Sequence, residues 1–519
     1  MALIGRSCDR RDFLGLLGSG TAALALSRGC RAQEADARAR GPNVVLILAD
    51  DLGYAGIGVQ GCTDIPTPNI DSLAQNGARF TSGYVSCPVC SPTRAGLMTG
   101  RYQQRFGHEH NPGPPTEADA EFGLLPGETI LPERLKALGY VTGMFGKWHL
   151  GYQEASTPTR RGFDEFYGFL GGAHSYIPGQ SDPKNPILRG TETLDPPEYL
   201  TDALAQEAAA FIDRHATEPF FLYLPFNAVH NPPHATEKYL ARFAGIADEK
   251  RRIHAAMLSA LDDAVGVVLA KLRERGLEEN TLVIFLSDNG GPTLQTTSSN
   301  LPLRGYKGDV YEGGIRVPFM VQWKGRVPAG QVIDQPVIAL DLLPTVVAAV
   351  GGTVSPDWKL DGVNLLPLLT GETTAPPHDN LYWRFGEQCA LRQGDWKLLK
   401  GRGAATWELY NLAEDIAEAH DLATQMPEQV AALIATWEAW SAELQEPRWK
   451  RQTPPRALGQ GGRARNVGQQ FKQWDANGDG KLTPDELPRE NLFKRLDADG
   501  DGVVTPEEAQ AGVRARQDG

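Results

Sequence analysis

Four short apolar runs, residues 44–49, 141–145, 220–224 and 282–286, are each followed closely by side chains able to do chemistry. The first ends in Asp50-Asp51, the second in Lys147 and His149, the third in Asn227 and His230, and the fourth in Asp288-Asn289. Runs of this length and apolarity read as buried strands, and an alternation with amphipathic helical stretches (129–138, 201–215, 253–274) predicts a mostly parallel α/β sheet flanked by helices. Parallel strands would line up all eight side chains beyond their carboxyl ends, where open α/β sheets bind ligands. Asp50, Asp51, Asp288 and Asn289 offer only oxygen, which suits a hard cation such as calcium or magnesium and not zinc. A single Asp or Asn pair could serve equally as a helix N-cap; two pairs closing two strands argue for the cation.

Between the first two strands lies Cys90-Ser91-Pro92-Thr93-Arg94, trailed by Ala95-Gly96-Leu97-Met98-Thr99-Gly100-Arg101. On these residues the chain resembles the formylglycine-dependent sulfatases of the alkaline phosphatase superfamily, whose modification signature is Cys-x-Pro-x-Arg with a trailing Thr-Gly-Arg. Gly146-Lys147-Trp148-His149-Leu150-Gly151, Leu303-Arg304-Gly305-Tyr306-Lys307-Gly308, Glu312-Gly313-Gly314-Ile315-Arg316-Val317-Pro318 and Gly394-Asp395-Trp396-Lys397-Leu398 extend the resemblance over roughly 43–422. Ile416 departs from it where relatives often carry a proline, which concerns a turn and not the chemistry.

The resemblance implies an alkaline-phosphatase-like sheet with a small antiparallel C-terminal subdomain, and a formylglycine made from Cys90 by a maturase. It implies one calcium ion held by Asp50, Asp51, Asp288, Asn289 and the oxygen of modified Cys90. Arg94, Lys147 and Lys307 would offset negative charge on the nucleophile and sulfate. His230 would protonate the leaving oxygen, and His149 would take the proton from the second hydroxyl. Sulfate-ester chemistry agrees: a thiolate would be trapped as a thiosulfate ester, whereas a hydrated aldehyde attacks with one hydroxyl and expels sulfate through the other.

The implied substrate is a sulfated polysaccharide or glycosaminoglycan fragment, or an aryl sulfate, with specificity in loops 111–126 and 174–196. Two rival readings remain, a formylglycine-dependent phosphonate or phosphodiester hydrolase and a non-catalytic calcium-dependent glycan-binding scaffold. A pure binder has no use for both His149 and His230. His174 is a candidate substrate contact. His108 and His110 read as surface-loop residues or cleft lining, His234 is set aside by the family register, and Cys87 is a buried thiol or a disulfide partner.

At the C-terminus, Asp475, Asn477, Asp479, Gly480, Thr483 and Glu486 occupy positions 1, 3, 5, 6, 9 and 12 of an EF-hand loop, with Lys481 offering its carbonyl at position 7. Asp497, Asp499, Asp501, Gly502, Val503, Thr505 and Glu508 repeat the pattern. The loops start 22 residues apart, so 487–496 reads as one short shared helix, and the pair as a calcium staple or docking module, not a sensor.

The 519 residues predict several units: an export signal over 1–32, a catalytic domain over 41–352, a subdomain over 353–445, a linker over 446–466 and the EF-hand module over 467–515. Arg10-Arg11 before the apolar 13–26 reads as a twin-arginine signal, implying a translocase partner and a periplasmic or extracellular location; lipidation at Cys30 is not favoured. The net charge of −13 argues against a nucleic-acid partner. Six cysteines, two of them in or beside the signal, do not make a disulfide scaffold.

Overall fold

The computed structural model describes residues 41–113, 122–180, 182–195 and 198–449, and in the C-terminal region 479–484, 486, 493, 496–497, 499–506 and 508. The export signal, Asp475, Asn477 and most of the expected shared helix lie outside these residues.

The strands are β1 (Asn43–Ala49), β2 (Ala78–Phe80), β3 (Gly83–Tyr84), β4 (Val141–Lys147), β5 (Glu165–Phe169), β6 (Ile187–Arg189), β7 (Glu192–Leu194), β8 (Phe220–Pro225), β9 (Thr281–Ser287), β10 (Phe319–Gln322), β11 (Gln331–Ile333), β12 (Val337–Ile338), β13 (Asn380–Phe385), β14 (Gln388–Gln393), β15 (Trp396–Lys400) and β16 (Glu408–Asn411). Ten of them form one sheet in the order β11-β2-β10-β9-β1-β8-β4-β5-β6-β7. Its five central strands, β9, β1, β8, β4 and β5, are all parallel. Outside them the pairing turns antiparallel, at β10 on one side and at β6 and β7 on the other. The sheet is therefore mixed, and parallel where the long apolar runs lie.

Those runs are continuous because both sheet faces are covered. Val44, Leu46 and Leu48 of β1 enter one core, while Val45, Ile47 and Ala49 enter the other. The second core is completed by the helices Leu200–Arg214 and Glu249–Glu274. The latter is apolar and long enough to cross a bilayer, yet it spends its Leu258, Leu261, Val265 and Val268 on this core. The first core takes residues from the helices Cys90–Thr99 and Leu342–Ala349.

β13 to β16 form a four-stranded antiparallel sheet, as expected, backed by the helix Pro427–Ser441 through Leu391, Leu398, Leu409 and Leu433. A fully buried ion cluster ties this sheet to the main body: Lys397 Nζ lies 2.8 Å from Glu312 Oε1 and 2.7 Å from Glu418 Oε1. The chain divides into two compact units, Met1–Gln452 and Thr453–Gly519. Residues at the start of the expected linker belong to the first: Arg448 N donates to Gly107 O, and Trp449 is buried. In the second unit Leu482 and Val504, the apolar positions of the two loops, exchange backbone hydrogen bonds at 2.9 and 2.8 Å.

Candidate active site

Cys90 is the first residue of the helix Cys90–Thr99, and Val89 before it makes no side-chain cap bond. Asn111 substitutes from another segment, its Oδ1 accepting the Ser91 amide at 3.0 Å. Cys90 Sγ sits 3.5 Å from Asp50 Oδ1, and both residues are buried at the carboxyl end of β1. Burial pushes the unmodified thiol up to about 12 although Lys147 and Lys307 pull the other way, so it is a neutral thiol at neutral pH. All four cysteines among the described residues are free, Cys87 included.

The carboxylates around it are held by cations. Lys147 Nζ bonds Asp50 Oδ2 at 2.6 Å, and Lys307 Nζ bonds Asp51 Oδ1 at 2.6 Å. Arg94 directs Nε and Nη2 at Asp288 Oδ2, at 3.0 and 2.7 Å, and Nη1 at the Lys147 carbonyl at 3.0 Å. Burial opposes charge on Asp50 and Asp51, but Lys147 with His230 and Arg94 at Asp50, and Lys307 with His230 at Asp51, together outweigh it and hold both below the usual carboxylate range. Lys307 in turn is held well above the usual lysine value, with burial opposing and Asp51, Cys90, Asp50 and Asp288 together prevailing.

Asn289 Nδ2 donates to Asp51 Oδ1 at 2.7 Å, while its Oδ1 is buried and meets no partner. A buried carbonyl oxygen left bare beside three buried carboxylates lacks a positive group. Ligand atoms of Asp50, Asp51, Cys90 and His230 also lie within 4.8 Å of one another. An all-oxygen set with one neutral amide fits a hard divalent cation.

Two histidines flank this cluster. His230 Nδ1 is 2.6 Å from the Asn231 carbonyl, which can only accept, so Nδ1 carries a proton and Nε2 is the exchanging nitrogen. That Nε2 lies 3.7 Å from Asp51 Oδ2, with the side chain 19% exposed. His149 follows β4 in the left-handed backbone region (φ 57°) and is buried, with burial first and then Lys147 keeping its imidazole well below 6.5. Gly172 lets the chain pass over this ring, since a Cβ there would lie 2.8 Å from Cε1 and Nε2.

The edge expected from the sequence thus gathers nine side chains, those of Asp50, Asp51, Cys90, Arg94, Lys147, His230, Asp288, Asn289 and Lys307, with His149 beside them. Asn227 is buried there too, and both polar atoms of its side chain are without partners. His108 is neither surface loop nor cleft lining: it is fully buried, with Nε2 2.7 Å from Ser91 Oγ. His174 is buried with Nδ1 on the Ser175 carbonyl and Nε2 unpartnered. Sequence reasoning missed Ser91 and Asn111 as supports. In the second unit, the carboxylates of Asp497, Asp499 and Asp501 cluster, and Asp479, Lys481, Glu486, Val503 and Glu508 are among the described residues.

The sequence signature described as Sulfatase matches residues 42–352, that of N-sulphoglucosamine sulphohydrolase, C-terminal, matches 306–443, and the EF hand matches 468–489 and 489–511. Canine N-acetylgalactosamine-6-sulfatase is 34% identical over 398 residues, which cover 72% of this chain and 74% of its own. Mouse arylsulfatase J is 34% identical over 400 residues, covering 70% of this chain and 65% of its own, so the chain spans just under two thirds of that relative. Among solved structures, Ps i-CgsB aligns with a TM-score of 0.76 at 37% identity, over 80% of this chain and 96% of its own, and is also known in complex with k-i-k-neocarrahexaose.

Proposed function

The chain belongs to the sulfatase family, whose members hydrolyse sulfate esters, and on that premise we propose that it desulfates sulfated carbohydrates through a formylglycine made from Cys90. The observation that carries this reading is the buried ring around Cys90, in which Asp50 lies 3.5 Å from Sγ and Lys147, Lys307 and His230 converge. A carbohydrate substrate is supported by the N-acetylgalactosamine-6-sulfatase relatives and by the complex of Ps i-CgsB with k-i-k-neocarrahexaose.

Asp50, Asp51, Asp288 and Asn289 would hold one calcium ion, whose charge offsets repulsion between these carboxylates and an anionic substrate. The aldehyde hydrate would supply an oxygen nucleophile in place of the neutral Cys90 thiol. Lys147 and Lys307 face that position and neutralise charge developing on the sulfuryl oxygens. His230 keeps one proton on Nδ1, donated to the Asn231 carbonyl, and would give up a second from Nε2 to the departing sugar oxygen. His149, kept neutral by burial, is in the form needed to accept a proton. Arg94 orients Asp288 and Lys147 from behind.

The twin-arginine signal would export the protein to the periplasm or beyond, lipid anchoring at Cys30 is not favoured, and the EF-hand pair would be a calcium-dependent docking module. The test is to purify the chain co-expressed with a maturase, establish conversion of Cys90 by peptide mass, and measure sulfate release from carrageenan oligosaccharides and N-acetylgalactosamine 6-sulfate beside phosphodiester cleavage. Sulfate release that disappears in Cys90→Ala is expected. A fully converted, calcium-saturated enzyme that cleaves phosphodiesters and no sulfate ester would make it the phosphodiesterase of the rival reading.

A further inference from the structure

We propose that Trp449 is a positioning residue for the reaction centre, acting through His108 and Asn111 on Ser91 and thereby on the placement of Cys90 against His149; the inference rests on Cys90 being the reacting residue. Trp449 lies far along the sequence, just past the C-terminal helix, where composition alone suggests a linker. Its Nε1 donates to the carbonyls of His110 and Asn111, each at 3.1 Å, and so pins the backbone of the residue whose side chain caps the Cys90 helix. Its ring stands edge-on to His108, with centroids 4.8 Å apart.

Both contacts converge on Ser91. The Ser91 hydroxyl donates to the His149 carbonyl at 2.6 Å, because a carbonyl can only accept. Its single proton is thus committed, and His108 Nε2, 2.7 Å away, must be the donor to Ser91 Oγ. Ser91 therefore joins the Cys90 helix to His149, whose left-handed backbone (φ 57°) needs such a hold. The segment 446–449 is seated closely: a Cβ on Gly107 would come within 2.7 Å of Arg448 Cγ and 2.8 Å of the Glu446 carbonyl. Removing the indole frees the 108–111 segment, loosens both bonds to Ser91, and lets the attacking group and its base drift apart.

The test uses the full chain as Trp449→Ala, Trp449→Phe, Asn111→Ala and the Trp449→Ala/Asn111→Ala double variant, each with Cys90 conversion measured. Hydrogen–deuterium exchange should quicken in a peptide spanning 86–98 and stay unchanged in one spanning 281–287. A misplaced reaction centre should lose about 10- to 100-fold in kcat with KM within about threefold. Trp449→Phe, which keeps the ring and loses the N–H, should recover part of the loss, and the double variant should be no worse than the worse single one. Unchanged exchange at 86–98 in Trp449→Ala overturns the proposal, as does wild-type kcat in that variant or fully multiplicative losses in the double one. Should Trp449→Ala not fold, Trp449→Phe and Asn111→Ala decide by the same measures. If the wild-type enzyme releases no sulfate, the functional reading falls, and the exchange data alone judge the relay.

Discussion

The two histidines beside the carboxylate ring differ in what their surroundings let them do. His230 keeps a proton on Nδ1 through the Asn231 carbonyl, so any proton it delivers leaves from Nε2. Protonation matters most when the departing alkoxide is basic and little when it is a nitrophenolate. Replacing His230 with alanine should therefore cost about 10²- to 10⁴-fold on a sugar sulfate but far less on nitrophenyl sulfate. Equal losses on both substrates, measured as kcat/KM, would remove His230 from that role. These residues were legible in the sequence because each follows an apolar strand or sits in a fixed spacing around Cys90. Asn111, His108 and Trp449 were not, because they act by tertiary hydrogen bonds to backbone or hydroxyl groups, which leave no spacing pattern.

At the scale of elements, the five central strands were readable because burial on both faces makes their sequences continuously apolar, as in β1. The flanking strands escaped notice: β6, β7 and β11 have three residues each, too few to show a period. Elements that cross the first core are tied by single polar residues. Asp341, fully buried ahead of the helix Leu342–Ala349, accepts from the amides of Ile338 and Val363 and pairs with His378 Nε2 at 2.7 Å. Burial disfavours the charged imidazole, but the bond to Asp341 together with the charges of Asp341, Asp361 and Asp379 prevails and raises the His378 pKa above 6.5. The folded state thus holds this proton more tightly than the unfolded chain. Its stabilisation is complete below about 6.5 and fades as pH rises through the raised folded value. Calcium-saturated wild type should accordingly lose more thermal stability than His378→Gln between about pH 6 and pH 8.5. Parallel Tm profiles for the two proteins would contradict this.

On the scale of the whole molecule, the acidic clusters of the two compact units face different electrostatic demands. In the second unit Asp497, Asp499 and Asp501 bring their oxygens within 4.8 Å of one another at the surface, where a bound cation would offset their repulsion. In the first unit the carboxylates are already balanced in part by Lys147, Lys307 and Arg94. Chelation should therefore unfold the tail loops while the catalytic unit stays folded but inactive, and calcium should restore activity. A chain ending at Gln452 should turn over small sulfate esters like the full protein, because the residues gathered at the reaction centre all belong to the first unit, whose boundary falls there. Calorimetric titration of that shortened chain should show the loss of up to two calcium sites carried by the EF-hand matches. A chain ending at Arg448 differs from it by only four residues, yet it lacks Trp449 and should share the kcat loss of Trp449→Ala. If both shortened chains are folded, fully converted and equally inactive, the tail takes part in catalysis and the two-unit division of labour is wrong. If both are fully active, Trp449 has no bearing on Cys90.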